Sequence, residues 1–230
     1  MPTTPNPPRR NTVFMHVLVA LMRIVFSSAM NLRIVNGPPP GFDGRAVMVG
    51  NHRSFIDFAT GAIAAVKYNI PIRFLVAYEY TEIPVFGWLL KEAGAIPVYR
   101  DDDRRGGVLG DAEQALRGGY SVVIMPEGSR LSHNRENPTE MGRLHTGAAR
   151  LAAQSDVPIM IVGLAGTEKA WPVGKWPRFF RREKVVFYID QTFFHTDPNL
   201  AARANTQRLR EAMTSAIVRA ETELAAWKAA

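Results

Sequence analysis

The 230-residue chain has no cysteine. This excludes disulfides, thiolate metal sites, a cysteine nucleophile and any acyl group held on the enzyme as a thioester. It also fits a reducing compartment. Other signatures are missing as well. There is no G-x-S-x-G elbow, no P-loop and no dinucleotide fingerprint, and the five histidines lack ligand spacing, so no metal is expected. The acidic run Asp101, Asp102 and Asp103 precedes Arg104 and a helical pattern, and it reads as a solvated helix start rather than a magnesium site.

Long apolar runs are scarce too. A mean hydropathy of −0.09 argues against a multi-spanning membrane protein. The longest run covers residues 13–30. As a helix it would reach roughly 27 Å, short of a hydrocarbon core of about 30 Å. Arg23 falls near its middle, where an arginine costs about 2.5–3.5 kcal/mol on insertion scales. His16, Arg23, Ser27 and Asn31 share one polar stripe in an otherwise apolar helix. The expectation is an amphipathic helix lying in an interface or packed on the domain, not a span or a cleaved signal. The proline-rich start, residues 1–11, reads as disordered.

The composition that is present suits one α/β domain, with 47% hydrophobic residues for a core and a net charge of +7. That charge favours an anionic partner: a membrane surface, a nucleic acid or a phosphorylated substrate. Apolar, β-branched runs at 32–35, 46–50, 72–77, 95–99, 121–125, 159–164 and 184–189 alternate with helical patterns at 55–67, 85–92, 104–117, 140–154 and 200–227. The runs are too continuous for half-exposed strands. They predict a mainly parallel central sheet covered by helices. Asp197 and Pro198 predict the cap and first residue of the last helix, whose core face carries Leu209, Met213, Ile217, Leu224 and Trp227.

The chemistry concentrates after two of these strands. Asn51-His52-Arg53-Ser54-Phe55-Ile56-Asp57 follows the run at 46–50. On one continuous helix His52 and Asp57 would point about 140° apart. They meet only if His52 lies in the turn and Asp57 in the first turn of the next helix. A capping box of Ser54 and Asp57, followed by apolar residues at helical spacing, supports that arrangement. The alternative is a plain cap beside a loop histidine. Glu127-Gly128-Ser129-Arg130 follows the run at 121–125, and Arg100 follows the run at 95–99. Ligands of open α/β sheets bind at this rim, and arginine's fork suits phosphate. A structural ion pair and a solvated strand-end charge are the bland alternatives for these two.

In their order and spacing these motifs resemble the PlsC-like glycerolipid acyltransferases, the 1-acylglycerol-3-phosphate O-acyltransferases. Asn51, His52 and Asp57 match N-H-x-x-x-x-D, and Gly94 and Arg100 bound the second motif. Glu127-Gly128-Ser129-Arg130 matches E-G-T-R-S with Ser for Thr and Leu131 ahead of Ser132. Val157-Pro158-Ile159-Met160-Ile161-Val162 matches V-P-I-x-P-V with Ile161 for the second proline, and the apolar turn around Pro84 and Trp88 is also similar. The likeness covers residues 46–167. It departs at Ala77-Tyr78-Glu79, where a lysine is common, at Pro97 and Tyr99, and at Leu144-His145-Thr146-Gly147 in place of F-K-x-G. These departures bear on acceptor identity rather than reaction class.

The resemblance implies acyl transfer from acyl-CoA or acyl carrier protein to a hydroxyl of lysophosphatidic acid. The donor is a co-substrate, and no other cofactor is implied. Glycerol 3-phosphate, another lysolipid or a glycolipid is the alternative acceptor. His52 would be the general base and Asp57 its orienting carboxylate, while Arg100 and Arg130 would hold phosphate. Glu127 would position Arg130 or a substrate hydroxyl, and Gly128 and Ser129 would line the acceptor site. Residues 32–230 would form the acyltransferase domain, with 1–31 as the disordered start and N-terminal helix. Residues 171–182 carry Trp171, Trp176, Phe179 and Phe180 with Lys175, Arg178, Arg181 and Arg182, and no acid. With the N-terminal helix, this segment is expected to attach the protein to the cytoplasmic face of the cell membrane, the alternative being an ordinary basic surface loop whose aromatics pack inward. A serine hydrolase and a non-enzymatic RNA- or membrane-binding module are the rival readings. The first lacks a nucleophile elbow and the second leaves the His52/Asp57 and Glu127/Arg130 pairs unexplained, so no nucleic-acid partner is expected.

Overall fold

A computed structural model describes residues 11–99, 105–128 and 139–230. Arg100, the acidic run at 101–103, Ser129, Arg130 and the start at 1–10 lie outside them.

The elements follow in the order α1 (Asn11–Phe26), β1 (Met30–Val35), β2 (Val47–Gly50), α2 (Ile56–Lys67), β3 (Ile72–Ala77), α3 (Tyr78–Thr81) and α4 (Phe86–Glu92). Then come β4 (Ile96–Val98), α5 (Arg105–Arg117), β5 (Ser121–Ile124), α6 (Gly147–Ser155), β6 (Ile159–Ala165), α7 (Thr167–Ala170), β7 (Glu183–Phe194) and α8 (Ala202–Ala229). The seven strands form one sheet in the order β1-β7-β6-β2-β5-β3-β4. All neighbours are parallel except β6 and β7. The mainly parallel sheet read from the sequence is therefore present, with β1 and β7 running against the other five strands.

Helices cover both faces, which is why the strands read as continuous apolar runs. Val47, Val49, Val122, Ile124, Ile159 and Ile161 point to the side of α5, α6 and α8. The alternating residues Met48, Val123, Met160 and Val162 point to the side of α1 and α2. α8 lies directly on β6. A Cβ at Gly163 would come within 2.2 Å of the Ala216 carbonyl, so only glycine permits this approach. The predicted α8 face is correct: Leu209, Met213, Ile217 and Leu224 are buried and Trp227 packs against them.

Four boundaries differ from the sequence expectation. α1 stops at Phe26, where the Ser27 and Ser28 hydroxyls donate to the carbonyls of Ile24 and Val25. Asn31 therefore sits in β1 and not on the helix stripe. α6 begins at Gly147 rather than residue 140, because the N–H groups of Gly142 and His145 donate to Glu127 and to Pro126 O. Asp197 does not cap α8. It accepts from the N–H of Asn199 in a local turn, and the helix starts at Ala202. β7 runs on past Ile189 to Phe194 because a bulge, with Asp190 accepting from Thr192, absorbs the polar residues.

Among the described residues, no helix is long and apolar enough to cross a membrane.

Candidate active site

β2 and β5 are adjacent and parallel, so the turns after them share one rim. Asn51 opens the first turn by imitating a strand residue. Its amide donates to Leu164 O (2.9 Å), and its carbonyl oxygen accepts from Leu164 N (2.8 Å). The ladder with β6 thus continues one step beyond Gly50. The chain then turns into α2 and buries Asn51, His52, Arg53, Ser54 and Asp57 almost completely.

Asp57 stands in the first turn of α2, where the helix dipole favours a carboxylate. Its Oδ2 accepts three hydrogen bonds: from Arg53 N–H (2.7 Å), Ser54 N–H (2.8 Å) and His52 Nδ1 (2.9 Å). Backbone N–H groups can only donate, so this oxygen acts purely as an acceptor. Neutral His52 then carries its proton on Nδ1 and leaves the Nε2 lone pair free. Oδ1 of Asp57 is buried without a hydrogen-bond partner. The expected capping box forms only in half. Asp57 accepts from Ser54 N–H, but the Ser54 hydroxyl donates to Trp171 O (2.7 Å) and accepts from Ile56 N–H (3.3 Å).

Glu127 braces the turn from the neighbouring strand. It is 5% exposed; Oε1 accepts the His52 N–H (3.1 Å) and Oε2 the Gly142 N–H (2.9 Å). Gly128 has φ +66, and a Cβ there would press on the His145 ring at 3.1 Å. Of the residues singled out from sequence, the fold therefore gathers His52, Asp57, Glu127 and Gly128. Arg100, Ser129 and Arg130 lie outside the described residues.

Sequence reasoning assigned no role to Arg53. Its side chain is 2% exposed and donates to Glu221 Oε1 on α8 at 2.6 Å, with Glu168 Oε2 at 3.9 Å. The latter is an ion pair without a hydrogen bond. Burial holds the Glu168 carboxyl above its ordinary range, and the Arg53 charge opposes that shift. The guanidinium fastens the turn after β2 to helices 115 and 168 residues downstream, a distance in sequence that local patterns do not reveal.

A chain of aromatic rings begins at His52. Phe58 meets the His52 ring edge-on at 5.5 Å and touches Phe74, while Phe55 bridges Tyr80 and Trp171. Trp171 in turn meets Phe26 of α1. An imidazole held by a carboxylate, with its far nitrogen unbonded among the described residues and an apolar wall beside it, is equipped to take a proton from a hydroxyl of an amphiphilic substrate. Among the described residues no group of three or more His, Asp or Glu could hold a metal ion.

Residues 24–164 match the family model described as Acyltransferase. Over 136 residues the chain is 32% identical to the chloroplastic 1-acyl-sn-glycerol-3-phosphate acyltransferase BAT2 of Brassica napus, covering 59% of this chain and 37% of that protein. The corresponding LPAT1 of Arabidopsis thaliana is also 32% identical, with 36% of its length covered. A 1-acyl-sn-glycerol-3-phosphate acyltransferase of Chlamydomonas reinhardtii is 28% identical over 79% of this chain and 51% of its own length. The chain thus spans between about a third and a half of the curated relatives it matches. In fold it is similar to the crystal structure of PlsC, the 1-acyl-sn-glycerophosphate acyltransferase of Thermotoga maritima. The TM-score is 0.62 at 18% identity, over 87% of this chain and 77% of that one.

Removing one partner of a buried ion pair costs about 3–5 kcal/mol. The two carboxylates around Arg53 are each about a quarter exposed, so Arg53→Ala should cost less, about 2–3 kcal/mol. A urea titration measures this, and an unchanged midpoint would contradict the clamp.

Proposed function

This chain belongs to the Acyltransferase family, and on that premise we propose that it acylates lysophosphatidic acid to phosphatidic acid, using an acyl-CoA or acyl carrier protein thioester. The observation that carries this reading is the 2.9 Å contact of His52 Nδ1 with an Asp57 oxygen already holding two backbone N–H groups. Nε2 takes the proton of the acceptor hydroxyl as that oxygen bonds to the thioester carbonyl carbon. The tetrahedral adduct collapses, the C–S bond breaks, and the imidazolium returns its proton to the leaving thiolate. Asp57 keeps the ring oriented and stabilises the imidazolium. The chain has no cysteine to hold the acyl group as a thioester, and in this reading the acyl group passes directly from donor to acceptor.

Holding the hydroxyl against the thioester contributes as much as proton transfer does. Arg130 and Arg100 supply that hold by gripping the acceptor's phosphate, a role carried by the motif likeness, as is that of Ser129 in the acceptor site. Glu127 contributes by fixing the backbone of His52. The aromatic wall of Phe55, Phe58 and Trp171 suits an acyl chain.

Such an acceptor lives in a membrane, and one side of the molecule suits a lipid surface. α1 buries Val19 but leaves Val13, Val17, Leu21 and Ile24 exposed. Phe14 of α1 meets Trp88 of α4, which adds exposed Val85 and Phe86. At the other end of α1, Phe26 meets Trp171, which opens the basic loop carrying Trp176 (88% exposed) and Phe180 (89% exposed). This strip of apolar and aromatic groups with arginines lies on the headgroup layer of the cytoplasmic face of the cell membrane.

His52→Ala should lower kcat by about 10²- to 10⁴-fold in a folded protein, and Arg130→Ala should chiefly raise KM for lysophosphatidic acid. Retained turnover in the first variant would reject the base. The wild-type chain should sediment with anionic vesicles, and the double substitution Trp176→Ala, Phe180→Ala should release it. Failure of the wild type to sediment would contradict the membrane face.

A further inference from the structure

On the opposite side of the sheet from α1, the segment leading into α6 and the first turns of α8 enclose a cavity of about 270 Å³. Arg143, Thr146, Arg203, Thr206, Gln207 and Arg210 line it, and among the described residues no lining residue is acidic. Arg203, Gln207 and Arg210 stand at helical spacing on one face of α8. Among the described residues, neither Arg143 nor Arg203 makes an ion pair.

Packing alone does not explain this arrangement. Arg203 occupies the first turn of α8, which holds no acid, and a cation there opposes the helix dipole. Three guanidiniums around one hollow repel one another until an anion neutralises them. Their planar forks match phosphate oxygens. Arg210 is already oriented for the task. It donates to Met141 O (3.1 Å) and Gly142 O (2.5 Å), and a guanidinium has five N–H groups, so others are left for a ligand. Thr206 donates its own hydroxyl to Ala202 O, so the cations and the Thr146 and Gln207 side chains supply the donors.

We propose that this cavity binds the phosphates of a soluble nucleotide: the adenosine 3′,5′-bisphosphate end of a coenzyme A thioester donor. The assignment rests on the acyl-transfer reading above. That reaction needs two substrates of opposite character. The lipid acceptor reaches the rim from the apolar strip beside α1 and α2, and the cavity lies beyond the sheet on the water side. Docking there also touches the catalytic turn. Arg210 holds the carbonyl of Gly142, whose N–H is held by Glu127, which holds the N–H of His52.

Calorimetric titration of the full chain with adenosine 3′,5′-bisphosphate, and separately with inorganic phosphate at the same ionic strength, tests the site without turnover. Saturable one-site binding of the bisphosphate is expected, much tighter than that of phosphate. In Arg143→Gln, Arg203→Gln it should weaken at least about tenfold, as for loss of hydrogen bonds to a charged group. Gln207→Glu, which adds a negative charge and removes no cation, should act in the same direction. The same variants should raise KM for acyl-CoA more than they lower kcat. Absent binding, or equal affinity in both variants, would overturn the site, as would use of acyl carrier protein alone as donor. Phosphate binding as tight as the bisphosphate would overturn the nucleotide assignment. Bisphosphate binding at these residues in a protein that transfers no acyl group would instead sink the reaction reading and leave the site standing.

Discussion

One carboxylate oxygen organises the chemistry of this molecule. Asp57 Oδ2 collects two backbone N–H groups of its own turn and the ring nitrogen of His52, inside a turn that is almost wholly buried. Each bond constrains the others. The backbone donors fix the carboxylate, the carboxylate fixes the imidazole, and the imidazole's far nitrogen is left for the proposed proton transfer. The first turn of α2 contributes a dipole that favours the negative charge.

The surrounding fold keeps that turn from moving. Asn51 extends the ladder to β6, Glu127 reaches across from the β5 turn, and Ser54 donates to the chain after α7. Arg53 ties the turn to α8, which lies on β6 because Gly163 has no side chain. The neighbouring motif residues are thus the ones that hold His52 and Asp57 in position. A buried turn held by this many hydrogen bonds is well fixed, which suits the proposed reaction, where a hydroxyl must be held against a thioester.

Much of this was legible in the sequence. The strands were visible because burial on both faces turns them into continuous apolar runs. The meeting of His52 and Asp57 followed from helix geometry together with the capping pattern at Ser54. The boundaries that differ arise where hydrogen bonds outside the regular ladders take up backbone groups, with distant partners at α6 and local ones at α1, α8 and β7. Gly142 and His145 give their N–H groups to the 126–127 turn, so α6 starts late. Asp197 looks like a cap beside Pro198 but spends its oxygen on Asn199. Arg53 carries no local signal at all, because Glu168 and Glu221 reach it only through the tertiary fold.

The central claim is that Asp57 sets the tautomer of His52. Long-range proton–nitrogen correlation spectra, with the His52 signals identified by their loss in a substituted protein, read that tautomer directly. In its neutral form the ring should carry the proton on Nδ1 and show an unprotonated Nε2. A neutral ring protonated on Nε2 would contradict the account, because the nitrogen proposed to take the substrate's proton would then have no lone pair to accept it.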